Sequence, residues 1–115
     1  MTKVYGEPAA SEWIDIESNA LGGPPTEYVV PPGKVLVGPK VLIRKYDDFM
    51  GAMNGRLLID GVIVESITFN PTETTQSAGG TRYLAEGTTL TVDRWGGDAE
   101  PSAKFLARCW LEDLR

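Results

Sequence analysis

The sequence has no histidine and only one cysteine, Cys109, in 115 residues. Without histidine there is no Ser-His or Cys-His nucleophile pair, no imidazole ligand for a metal, and no side chain that ordinarily titrates near neutral pH. A single cysteine excludes an intrachain disulfide framework and permits a reducing compartment. Apolar runs are short, and none approaches the roughly 20 residues of a membrane-spanning helix. The opening Met1-Thr2-Lys3-Val4-Tyr5-Gly6-Glu7-Pro8 has no apolar stretch, so no secretory leader is expected there. Basic residues are also few, 11 against 16 acids, for a net charge of −5. Attraction to phosphates or anionic lipids needs clustered Lys and Arg, so neither nucleic acid nor membrane is an expected partner. Asp93, Asp98 and Glu100 offer oxygens for calcium around Gly96-Gly97 but lack EF-hand spacing, so no metal is expected. These absences point away from an enzyme, and no catalytic residue or cofactor is expected.

The charge that is present is unevenly placed. Up to Gly33 there is one base, Lys3, against five acids: Glu7, Glu12, Asp15, Glu17 and Glu27. The same stretch holds five of the eight prolines, and Gly22-Gly23-Pro24-Pro25 is the strongest breaker cluster in the chain. The expected organisation is an extended acidic arm over residues 1–26, followed by one domain over residues 27–115. Within the arm Trp13, Ile14 and Ile16 stand among the acids Asp15 and Glu17. A flexible tail seldom carries a Trp, because exposed apolar surface of that size is costly. Two roles are open for Trp13–Glu17: packing back on the arm's own domain, or docking on a partner.

Past the arm, short β-branched runs alternate with turn signals. Glu27-Tyr28-Val29-Val30 ends at Pro31-Pro32-Gly33, and Lys34-Val35-Leu36-Val37 ends at Gly38-Pro39. Asp60-Gly61 separates Arg56-Leu57-Leu58-Ile59 from the run Val62–Phe69, a strong hairpin signal because both turn positions favour positive φ. Lys104–Glu112 could be a helix capped by Ser102, but its aromatic content and the all-β context favour a strand, which puts Phe105, Ala107, Cys109 and Leu111 on one face. Helical patterns of 10–15 residues between strands are missing, which excludes a parallel sheet. The expected fold is therefore all-β, an antiparallel β-sandwich of jelly-roll type with an extended N-terminal arm. Val35-Leu36-Val37 and Leu57-Leu58-Ile59 are apolar on both faces, which calls for cover on the outer face as well.

The order of turns carries a resemblance. Tyr28-Val29-Val30-Pro31-Pro32-Gly33-Lys34-Val35-Leu36-Val37, then Leu57-Leu58-Ile59-Asp60-Gly61-Val62, then Ala85-Glu86-Gly87-Thr88-Thr89-Leu90 resembles the small β-sandwich virion proteins of tailed bacteriophages. These are capsid decoration (cement) proteins and related tail or fibre modules. The second corner reads Glu-Gly where such modules often have Pro-Gly. The resemblance implies a trimeric structural protein made in the host cytoplasm that sits on the capsid surface of the virion, with the major capsid protein or another virion protein as partner. The alternative is a glycan- or receptor-binding module of a tail or fibre. Trp95 and Trp110 are the candidate ligand or interface aromatics under either reading.

Overall fold

The computed structural model describes residues 11–38, 43–45, 52–69, 75–76, 82–98 and 101–113. Ten strands follow one another: β1 (Ser11–Glu17), β2 (Thr26–Val29), β3 (Lys34–Val37), β4 (Ile43–Lys45), β5 (Met53–Ile59), β6 (Val62–Phe69), β7 (Thr75–Gln76), β8 (Tyr83–Leu84), β9 (Thr89–Gly97) and β10 (Phe105–Asp113). They form two antiparallel sheets. The first has the order β7-β4-β10-β3-β8 with β1 on β10, and the second has the order β2-β9-β5-β6. One edge of β10 is taken by β1 from Glu112 to Leu106. β3 and β4 therefore lie end to end on its other edge, β3 facing Trp110–Asp113 and β4 facing Phe105–Leu106. β8 and β7 continue that arrangement one strand further out.

Taking each end-to-end pair as one interrupted strand leaves eight strands, numbered one to eight along the chain. Their order is one-eight-three-six in the first sheet and two-seven-four-five in the second. This is the double Greek-key order of a jelly roll, and the all-β antiparallel sandwich is the one the sequence predicts.

Local chemistry makes the corners. Asp60 and Gly61 take φ of 48° and 83°, the two positive values of a type I′ hairpin. The Asp60 carboxylate accepts from Thr89 N at 2.9 Å, tying the hairpin to β9. At Pro31-Pro32-Gly33, Gly33 has φ 78° and Lys34 N donates to Pro31 O at 3.2 Å. The Glu86-Gly87 corner has Gly87 at φ 85°. The two corners meet, because Val30 N donates to Thr88 O and Gly87 N donates to Val30 O, both at 2.9 Å.

The core lies between the sheets. Phe105, Ala107, Cys109, Leu111, Leu36 and Leu84 enter from the first sheet, and Met53, Leu57, Phe69, Leu90 and Val92 from the second. The face predicted for Phe105–Leu111 is thus the buried one. At the centre, Phe105 lies on Gly55, where an added Cβ would stand 2.5 Å from the ring, and its centroid is 6.1 Å from that of Phe69. Gly55 has no side chain because the Phe105 ring occupies the space.

Residues 1–10 of the expected arm lie outside the described residues. The rest of that segment is built into the sandwich. β1 is an edge strand of the first sheet over its whole length, and the link to β2 is pinned by side chains. Ser18 Oγ accepts from Phe105 N at 2.9 Å. Asn19 clamps β9 from both sides: its Oδ1 accepts from Arg94 N at 3.0 Å and its Nδ2 donates to Arg94 O at 3.1 Å. The Arg94 side chain, 1% exposed, runs inward and donates from Nη1 to Ala103 O at 2.8 Å and Pro101 O at 3.2 Å.

If the Phe105 ring excludes a side chain at position 55, the two residues must be coupled. Phe105→Ala is expected to cost about 3–5 kcal/mol, a fall in Tm of roughly 12 °C or more. Gly55→Ala alone is expected to destabilise through the clash, and the double variant to cost less than the two singles added together. Urea denaturation of the four proteins measures the difference.

Candidate interaction face

Side chains alternate along a strand, so the residues between the core positions of β10 point outward. These are Leu106, Arg108, Trp110 and Glu112. The register then places one residue from each of β1, β3 and β8 in line with Trp110. On one side Trp13 of β1 is its direct partner. On the other Val37 of β3 is opposite Trp110, and Tyr83 of β8 is opposite Val37. Trp13, Trp110, Val37 and Tyr83 thus form an apolar row across the outer face. Trp13 is 53% and Tyr83 74% exposed, while Trp110 and Val37 are half-buried. Val35 lies on the same face, opposite Glu112. This outer surface answers the two-sided apolar character of Val35-Leu36-Val37.

Trp13 and Trp110 meet edge to face, with centroids 4.6 Å apart and planes at 64°. The Trp110 Nε1–H donates to Glu112 Oε2 at 3.0 Å. The geometry anchors the two indoles on each other and does not lay their faces in one plane for a flat ligand. Polar pairs rim the row. The Asp15 carboxylate accepts from Arg108 Nε at 2.9 Å and Nη2 at 3.2 Å, and Lys104 pairs with Glu17 at 3.4 Å. The hydrogen bond from Arg108 holds the Asp15 carboxyl below the usual carboxylate range, with the guanidinium charge adding to the effect and partial burial opposing it.

Of the residues proposed for partner binding, the structure divides the group by parity. Trp13, Asp15 and Glu17 face outward. Ile16 is buried in the core, and Ile14 is half-buried and packed against it. The packing of Ile14 and Ile16 on their own domain follows from β1 pairing with β10, since the inward face of an edge strand must be apolar to close the sandwich. Trp95 and Trp110 are not brought together. Trp110 is on the outer face of the first sheet, and Trp95 lies on the second, beside Arg56. Tyr83 and Val37 join the row only through strand register, which no local pattern encodes.

The remaining candidates have structural partners. Asp93 is buried and pairs with Arg56 at 2.9 Å, and Asp98 accepts from Ala52 N at 2.6 Å; Glu100 lies outside the described residues. Among the described residues no cluster of three or more His, Cys, Asp or Glu forms a metal-binding group. Cys109 is fully buried, and burial pushes its thiol up to about 12, so its thiolate fraction at neutral pH is minute. No helix among the described residues is long and apolar enough to cross a membrane.

Neither protein-family models nor curated proteins give a match to this chain.

The Asp15–Arg108 pair gives a pH test with a defined sign. A carboxylate whose pKa is lowered on folding stabilises the folded state above its unfolded pKa, and that contribution is lost as pH falls through the folded value. Asp15→Asn is therefore expected to lower Tm slightly at pH 7, because the pair is exposed. The difference between variant and wild type should be smaller at pH 2, below the ordinary carboxylate range. Thermal melts at both pH values check this.

Proposed function

We propose that this chain is a structural virion protein of a tailed bacteriophage, a decoration protein that binds the outer capsid surface and stabilises the shell. The observation that carries the reading is the row of Trp13, Trp110, Val37 and Tyr83 across the outer face of the first sheet. Tyr and Trp are the residues that dominate protein–protein interfaces when they sit centrally within a polar rim. Here the rim is supplied by Asp15–Arg108, Glu17–Lys104 and Glu112. The jelly-roll order and the resemblance of the Pro-Gly and Glu-Gly corners to phage virion modules direct the proposal to a capsid rather than to another assembly. The occupant of the face is the major capsid protein. A trimer multiplies the contact made by each copy, so that modest single-site affinity yields firm attachment.

The second sheet opposes this face and leaves the protein's other side outward when the first is docked. No chemical step is assigned to the protein in this role. Its effect on the shell is mechanical, through surface buried between neighbouring coat subunits.

The test is co-sedimentation with assembled shells that lack the protein. Trp13→Ser combined with Tyr83→Ser replaces the two most exposed members of the row and leaves the core untouched. This double variant is expected to lose at least about 30-fold in apparent affinity, the size of one interface hot spot. Trp95→Ser, on the other sheet, should bind as wild type does. Undiminished binding by the double variant would remove the first sheet as the docking face.

A further inference from the structure

The outer face of the second sheet carries a different chemistry. On β9, Arg94 is opposite Gly55 and Gly96 is opposite Asn54, so Trp95 has no partner of its own and forms a bulge with Gly96 against Asn54. Bulges re-aim side chains and recur beside binding sites. Trp95 follows the inward Leu90, Val92 and Arg94 by alternation and faces outward, and the bulge leaves it without a cross-strand partner on β5. Trp95 is 51% exposed, and the Arg56 guanidinium carbon lies over its ring, 5.8 Å from the centroid. The backbone beneath is fixed on both sides, by the Asn19 clamp on Arg94 and by Asp98 on Ala52 N.

We infer that Trp95, with Arg56 and Asn54, forms a binding subsite for a neutral pyranose of a glycan. Three groups around the ring are hydrogen-bond donors without a partner among the described residues: the Trp95 Nε1–H, the Asn54 Nδ2 amide and the terminal nitrogens of Arg56. Arg56 uses Nε for Asp93 at 2.9 Å, and its side chain is 36% exposed. Asn54 Oδ1 accepts from Thr68 Oγ1 at 3.2 Å. Gly96 adds no side chain to obstruct the approach.

A half-exposed aromatic ring with a guanidinium over it and an amide donor on the neighbouring strand suits a ligand with an apolar C–H face and several oxygen acceptors, as a pyranose has. The charge selects the neutral kind. Asp93 already answers the charge of Arg56, Asp98 stands three residues from Trp95, and the chain is at −5. An anionic sugar meets no uncompensated cation here. This assignment does not depend on what the first sheet binds, because Trp13, Trp110 and Tyr83 lie on the opposite side of the sandwich.

The experiment is an NMR titration of the 15N-labelled full chain with cellotriose, maltotriose and tri-N-acetylchitotriose. The three indole N–H signals are assigned with single Trp→Phe variants. The expected result is that at least one of these sugars moves the Trp95 signal and the Gly96 and Gly97 amides, with Kd on the order of 1 mM. The Trp13 and Trp110 signals should stay in place. Trp95→Ala and Asn54→Ala are expected to weaken that binding about tenfold or more, read from the Gly96 amide. Arg56→Lys, which keeps a cation for Asp93, should weaken it too, with the Trp13 and Trp110 signals reporting that each variant is folded. The inference is overturned if none of the three sugars shifts Trp95 at about 20 mM, a concentration that detects Kd values well above 1 mM. It is also overturned if trigalacturonate binds more tightly than all of them, or if the sugars shift Trp13 and Trp110 instead.

Discussion

The contact between Phe105 and Gly55 sets the relation of the two sheets. Phe105 stands on β10, the strand with the most neighbours in the first sheet, and Gly55 on β5, flanked by β6 and β9 in the second. The ring takes the volume that any side chain at position 55 would need. Because side chains alternate along a strand, seating Phe105 inward also commits Ala107, Cys109 and Leu111 to the core and Arg108, Trp110 and Glu112 to the surface. A slip of one residue would exchange these sets and place Trp110 in the core beside a buried Arg108. The outer row is therefore fixed from inside the sandwich: what locks the core also aims the indole of Trp110.

The −4 of the first 33 residues has a structural answer within the chain. Asp15 and Glu17 are matched by Arg108 and Lys104, residues on β10 or just before it. Two of the five acids of the segment are thus paired with bases of its own domain. The same charges protect the sheet. β1 is an edge strand, and a free edge invites another strand to pair with it. Glu12, Asp15 and Glu17 along seven residues make such pairing between like copies repulsive. Exposed surface pairs add little to stability, so their main effect is on register and on which neighbours are refused.

The sequence makes legible whatever is local. Asp60-Gly61 and Pro32-Gly33 announce their turns because positive φ is a property of one or two residues. The face of β10 is legible because alternation needs only the strand itself. Even in the acidic segment, Trp13, Asp15 and Glu17 separate from Ile14 and Ile16 once the segment is read as a strand. What it does not disclose is pairing. Trp13 meets Trp110 across almost the whole chain, and Tyr83 joins them through two intervening strands. Trp95 and Trp110 look close in sequence, but the connection from β9 to β10 crosses from one sheet to the other. The bulge at Trp95 is hidden for a similar reason: it exists only relative to β5. Arg94 reads as a surface residue of a strand, and its burial rests on carbonyls at Pro101 and Ala103 that only the folded loop presents.

The two outer faces differ in what they ask of a ligand, and the difference follows from how each is satisfied internally. On the first sheet Trp110 Nε1 is paired with Glu112, Arg108 with Asp15 and Lys104 with Glu17. What the row of Trp13, Trp110, Val37 and Tyr83 presents is mainly apolar area, so the favourable partner is one that removes it from water. On the second sheet, by contrast, Asp93 takes Nε of Arg56 and Thr68 takes Oδ1 of Asn54, and donors are left over beside an exposed ring. A purely apolar partner there would desolvate those donors without replacing their bonds with water, at a cost that burial of one Trp barely offsets. An apolar protein surface therefore suits the first face and an acceptor-rich small ligand the second. One sandwich can hold both because the Phe105–Gly55 core keeps the faces apart and fixes the orientation of each.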